Sequence, residues 1–137
     1  MTETSNEPQG SPAIRTLAMP GDTNPNGDIF GGWVMAQMDL AGGITAGWRA
    51  QGRVATVAVE GMAFLKPVKV GDVVCVYTDI LREGTTSMTI RVELWALRKS
   101  TLKREKVTEG NFTFVAIGED GHKRALPPMP DDSLSLN

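Results

Sequence analysis

Histidine and cysteine are almost missing from this chain: His122 and Cys75 are the only ones among its 137 residues. Their scarcity excludes several chemistries at once. A zinc site needs three or four such ligands, so none is expected, and no CxxC or HExxH spacing occurs. A Ser-His-Asp or Cys-His relay would have to run through His122, which sits in the turn-like stretch GEDGHKR, where a solvated side chain is expected. A lone cysteine makes no intramolecular disulfide, which fits a cytoplasmic protein, and its place between Val74 and Val76 reads as a small buried side chain. An excess of positive charge is also lacking, since the formal net charge is -2, and no nucleic-acid partner is expected. There is no GxGxxG and no Walker phosphate loop. The opening MTETSNEPQG has neither a basic nor an apolar segment, so a secretory signal is not expected. Catalysis must therefore use carboxylate, amide, hydroxyl and backbone groups.

What the chain does have is one long apolar run, Phe30–Trp48 (FGGWVMAQMDLAGGITAGW), in which Asp39 is the only charge. Such a run reads as a helix apolar on all sides, enclosed by protein or by lipid. Its length alone would span a bilayer. The interior of a protein is the better reading. A carboxylate near mid-span is costly in hydrocarbon, glycines at 31, 32, 42, 43 and 47 suit close packing, no second span exists, and strands follow. No membrane partner is expected.

Before the helix, Ile14–Met19 reads as a short strand and MPGDTNPNGD as a structured loop, with Asp28 placed to cap the helix. After it, the hydrophobic period changes to two. Arg53–Leu65 (with Gly61 as a bulge), Val73–Leu81, Thr85–Arg98 and Val107–Ile117 read as four strands joined by short hairpins. Short connections imply antiparallel pairing, and one helix against about five strands is an α+β domain. Residues 11–127 form that domain, and 1–10 and 128–137 read as disordered tails. A helix apolar all round needs a sheet that curls about it, a second subunit, or both, so a dimer is expected.

Asp39 is the natural candidate base, because an apolar setting disfavours its ionised form. Gly31 and Gly32 fall in the first helical turn, where free N–H groups without side chains suit a developing oxyanion. Asp39 shares a face with Gly32 but lies ~10 Å further along the axis. A carbonyl held at the glycines would need a carboxylate from elsewhere, such as the facing subunit.

The segments LAMPGDTNPNGDIFGGWVMAQMD, RVATVAVEGMAFLKPVKVGDVV and GTTSMTIRVELW resemble the YciA-type acyl-CoA thioesterases of the hotdog-fold acyl-CoA hydrolases, over about Ile14–Pro127. The resemblance implies a hotdog fold, a long central helix wrapped by a curved antiparallel sheet. It implies hydrolysis of acyl-CoA to free acid and CoA with no metal or cofactor. The family's helix carboxylate falls on Asp39 and its loop asparagine on Asn24, the two meeting across a dimer interface. Its glycine pair falls on Gly31 and Gly32. Asn24 would orient water or the carbonyl while the partner's Asp39 acts as base or nucleophile. By the same resemblance Val57, Ala58 and Val59 offer backbone groups to the pantetheine arm, and Thr86, Ser87 and Met88 contact the CoA further along. The family implies a homodimer as minimal active unit and a hexamer as trimer of dimers. Arg53, Lys66, Arg82, Arg98 and Lys99 are candidates for the CoA phosphates. The competing function is a non-catalytic acyl-CoA-binding or sensing protein on the same fold. Hotdog dehydratases use a catalytic histidine, which is lacking near Asp39.

Overall fold

The structure is a computed structural model, and it describes residues 7–129; the outer parts of both expected tails, 1–6 and 130–137, lie outside the described residues. Its elements are β1 (Ser11–Leu17), α1 (Gly31–Ala50), β2 (Val54–Phe64), β3 (Val73–Glu83), β4 (Ser87–Leu97) and β5 (Arg104–Ala116), with a single 3-10 turn at Pro20–Asp22. The strands form one five-stranded antiparallel sheet in the order β1-β3-β4-β5-β2. One long helix packs on it, and this is the expected hotdog architecture.

Helix and sheet meet because their periods match. Val34, Met38, Ala41, Thr45 and Ala46 recur at helical spacing and are buried against the face of β4 and β5 that carries Ile90, Val92, Leu94, Phe112 and Phe114. Gly42 is required in this seam: a Cβ there would stand 2.8 Å from the Phe114 ring. The opposite sheet face carries a small cluster of Cys75, Tyr77 and Trp95. Beside it Glu93 is fully buried, accepting from Trp95 Nε1 and Arg91 Nε, each at 2.9 Å. Cys75 is thus the buried thiol expected.

Two local expectations fail. The strands following the helix are not all joined by hairpins, because β2 pairs with β5 and not with β3. The connection between them crosses the domain instead, anchored by buried Val68, whose carbonyl accepts from Ile29 N–H at 3.1 Å. Nor does Asp28 cap the helix. Phe30 is the N-cap and supplies no side-chain bond, while Asp28 is drawn away into an ion pair with Lys69. The bulge at Gly61 is present: the β2–β5 register slips between Glu60 and Ala63, and Gly61 has φ of 66°.

Arg98 is a structural pin. It is buried and donates to Asp72 (2.7 Å), Glu105 (2.9 Å) and the Pro67 carbonyl (2.8 Å), which removes it from the candidate phosphate ligands. Burial disfavours its charge, but the hydrogen bonds to Asp72 and Glu105 outweigh that and raise its pKa. The same bond from Arg98 holds the Glu105 carboxyl below its ordinary value. At the far end the chain is tied down as far as Pro128. Leu126 N–H donates to the Thr85 carbonyl (2.8 Å), and Arg49 and Gln51 donate to the Pro127 and Pro128 carbonyls.

Candidate active site

One side of the domain is left open. β2 is an edge strand, and Val57, Val59 and Phe64 on it and Leu65 just past its end are exposed. Along the facing stripe of α1, Met35, Leu40 and Ile44 are exposed as well. Residues 32, 35, 36, 39, 40 and 44 follow helical spacing, so this is one continuous apolar surface with a single carboxylate on it, Asp39. Within one chain the sheet covers one side of the helix and leaves this stripe open.

Asp39 is exposed but not free. Thr56 of β2 donates its hydroxyl to Asp39 Oδ1 at 2.6 Å. Register explains the contact: Thr56 lies opposite Phe114, whose side chain is in the core, so it points to the helix side of the sheet. The bond fixes the carboxylate against β2 and leaves Oδ2 available. Thr56 was not singled out from sequence. Its one signal is a hydroxyl within the otherwise aliphatic stretch Val54–Val59, just before the register slip at Val57.

Gly31 and Gly32 are the first two residues of α1, where N–H groups have no partner within the helix. No hydrogen bond among the described residues occupies them. Both are exposed, and a Cβ at Gly32 would meet nothing within 4 Å, so these amides are open to a ligand. Asn24 lies in the preceding loop with its amide oriented by two contacts. Its Oδ1 accepts from the N–H groups of Asn26 (2.9 Å) and Asp28 (3.1 Å). That occupies the oxygen and leaves the NH₂ as the only outward function, so Asn24 can donate to a ligand but not accept. The loop is tied to the helix start, since Phe30 N–H donates to the Asp22 carbonyl at 2.9 Å.

The residues expected to hold CoA fall into two places. Val57, Ala58 and Val59 lie on the open edge beside Thr56, with Val57 at the slip between Thr56 and Ala58. Thr86 and Ser87 lie at the turn between β3 and β4. Met88 is 1% exposed, its side chain in the core. Ser87, Val115 and Ala55 form one row across β4, β5 and β2, which separates the two places by ~10 Å, two strand spacings. His122 is fully solvated, its side chain 84% exposed, beside Asp120. Among the described residues no group of three or more metal-ligating side chains converges, and no helix is long and apolar enough to cross a membrane.

Residues 26–102 match the model of the thioesterase superfamily. The chain is 54% identical over 130 residues to the acyl-CoA thioester hydrolase YciA of Escherichia coli, covering 93% of this chain and 98% of that protein. Among solved structures, the hexameric thioesterase of Yersinia pestis is 55% identical with a TM-score of 0.85, covering 88% of this chain and 98% of that one. A Staphylococcus aureus acyl-CoA hydrolase, solved with butyryl-CoA, CoA and CoA disulfide, is 30% identical with a TM-score of 0.76, over 88% and 75% of the two chains.

Proposed function

The chain belongs to the thioesterase superfamily, as an acyl-CoA thioester hydrolase of the YciA type, and we propose that it works through Asp39 of one subunit and Asn24 of its partner. The observation that carries this reading is the Thr56–Asp39 hydrogen bond, which orients a carboxylate on an open apolar face and leaves one of its oxygens free. The thioester carbonyl lies at the start of α1, where the Gly31 and Gly32 amides draw charge onto its oxygen. Asn24 donates to that oxygen or to the attacking water. Asp39 takes the proton of the water as it adds to the carbonyl carbon. The carbon–sulfur bond then breaks, and the proton passes to the departing thiolate, giving acid and CoA. In the competing version Asp39 attacks the carbonyl itself, and water then cleaves the resulting anhydride. Neither version uses a metal or cofactor.

The two-subunit arrangement follows from the open face. An apolar edge strand beside an apolar helix stripe is a surface that pairs, and two copies joined along β2 would cover both. Dimers of this kind then assemble as a hexamer, the state named for the Yersinia relative. We expect acyl-CoA as substrate, no nucleic-acid partner and a cytoplasmic location.

Release of free CoA thiol from short, medium and long acyl-CoAs by wild type and Asp39→Asn tests the proposal. A loss of ~10²–10⁴-fold in kcat, with fold and oligomer unchanged, is the expected result. Near-equal rates would remove Asp39 from the chemistry. Tight acyl-CoA binding without thiol release by wild type would make the protein a sensor. Label from ¹⁸O-water found in the Asp39 carboxylate after a single turnover would establish the anhydride version, because water adding to the Asp39 carbonyl of the anhydride is what deposits it there.

A further inference from the structure

At the turn between β3 and β4 the carbonyls of three successive residues are occupied while most of their donors are free. The Thr85 carbonyl accepts from Leu126 N–H (2.8 Å), that of Thr86 from Ala116 N–H (2.9 Å) and that of Ser87 from Gly84 N–H (2.8 Å). The N–H groups of Thr85 and Thr86 and the hydroxyls of Thr85, Thr86 and Ser87 have no partner among the described residues. Two free N–H groups beside three hydroxyls that can turn their protons outward suit a ligand that only accepts, and phosphate is such a ligand.

Two devices far apart in sequence hold the turn this way. Arg49, buried in the last turn of α1, grips Glu83 at the end of β3 through Nε (2.7 Å) and Nη2 (2.9 Å). Its Nη1 donates to the Pro127 carbonyl (2.8 Å), which draws the chain past Arg124 back across the turn. Arg124 secures that crossing by donating to the Ala50 carbonyl (2.8 Å) at the helix end.

We propose that the Arg49–Glu83 pair and the crossing segment Arg124–Pro128 are positioning elements that present the Thr85–Ser87 turn to a phosphate of CoA. They set affinity for the carrier and not the rate of the chemical step. Arg49 follows Asp39 by ten residues, ~15 Å along one helix, so it acts on the substrate only through the turn. The proposal rests on the reading of the protein as an acyl-CoA hydrolase whose CoA passes Thr86 and Ser87.

Hydrolysis of butanoyl-CoA, butanoyl-3′-dephospho-CoA and butanoyl-pantetheine by wild type, Glu83→Gln and Leu126→Pro tests it. Leu126→Pro removes the N–H that holds the Thr85 carbonyl, along with a side chain packed on the core, and serves if Glu83→Gln does not fold. The expected result is a KM for butanoyl-CoA raised about tenfold, the worth of one charge-assisted hydrogen bond, with kcat and the butanoyl-pantetheine rate within about twofold of wild type. If the rise persists with the 3′-dephospho substrate, the turn holds the diphosphate; if it disappears, the turn holds the 3′-phosphate. An equal loss on butanoyl-CoA and butanoyl-pantetheine, or no change on either, would overturn the proposal while leaving the hydrolase intact. Wild type that hydrolyses all three substrates equally well would remove the CoA site at this turn, and the proposal with it.

Discussion

The two long faces of α1 are built from much the same residues and end in opposite surroundings. On the inner face Val34, Met38 and Ala41 are buried, with Met38 at 0% exposure; on the outer face Met35, Leu40 and Ile44 are open, with Met35 at 39%. The sheet is wide enough to cover one face only, because β2 closes on β5 and leaves its other edge bare. The only charge within the Phe30–Trp48 run lies on the uncovered side. Apolar composition states that a surface must be covered; it does not state by what. The inner face is completed by this chain's own sheet, and the proposed function assigns the outer face to a second copy.

The strongest way to break that comparison is to charge the outer face. Leu40→Asp would put a second carboxylate there, and an unpaired charge in an apolar interface costs several kcal/mol. The expected outcome in analytical ultracentrifugation is an association constant lowered ~10³-fold or more, with activity falling in step. Unchanged assembly would show that this face is not where copies meet.

A glycine from each face sharpens the contrast. Gly42→Ala would drive a methyl to 2.8 Å from the Phe114 ring, and overpacking of this kind costs about 1–3 kcal/mol, read as a lower urea midpoint. Gly32→Ala meets nothing within 4 Å and should leave that midpoint unmoved. If its amide serves the carbonyl oxygen, the added methyl should still lower kcat about tenfold, the worth of one weakened hydrogen bond. Loss of stability at Gly32 or retention at Gly42 would reverse the assignment of the faces.

The smallest effect concerns acid. Apart from Arg49 at the end of α1, the ion pairs that support the fold lie on the sheet and its connections, away from the outer stripe of α1. Glu105 is held low by its hydrogen bond from Arg98; at Glu109 burial acts to raise the pKa, but Lys106 and Arg91 outweigh it and the net shift is downward. A carboxyl whose folded pKa is depressed stabilises the fold fully above its unfolded value. That contribution fades as pH falls below about 4.3 and on through the lower folded pKa. Acid titration of the urea midpoint should therefore show a decline that Glu105→Gln makes shallower. An unchanged slope would mean that the Arg98–Glu105 contact adds nothing in solution.

Much of this was legible in the residues. The helix appears over Gly31–Ala50 where the apolar run of Phe30–Trp48 lay, and all five strands overlap their expected ranges. Gly61 forms its bulge, and His122 and Cys75 stand as expected. These features follow from local rules, because side-chain period and turn chemistry act between residues a few positions apart. The strand order was not legible. Length alone does not tell whether the β2–β3 connection makes a hairpin or crosses the domain, and the choice here rests on Val68 meeting Ile29. Asp28 illustrates the same limit, since a good cap was outcompeted by Lys69, forty-one positions away.

At the candidate site the division is similar. The sequence by itself determined that one carboxylate would sit on an apolar helix headed by two bare glycines. Only the tertiary structure decided that Thr56 would hold that carboxylate, that Asn24 would face outward as a donor, and that Arg98 would be spent on Asp72 and Glu105. Those outcomes depend on which strand lies beside which, and pairing across a sheet is fixed by competition among distant contacts that no short stretch of chain encodes.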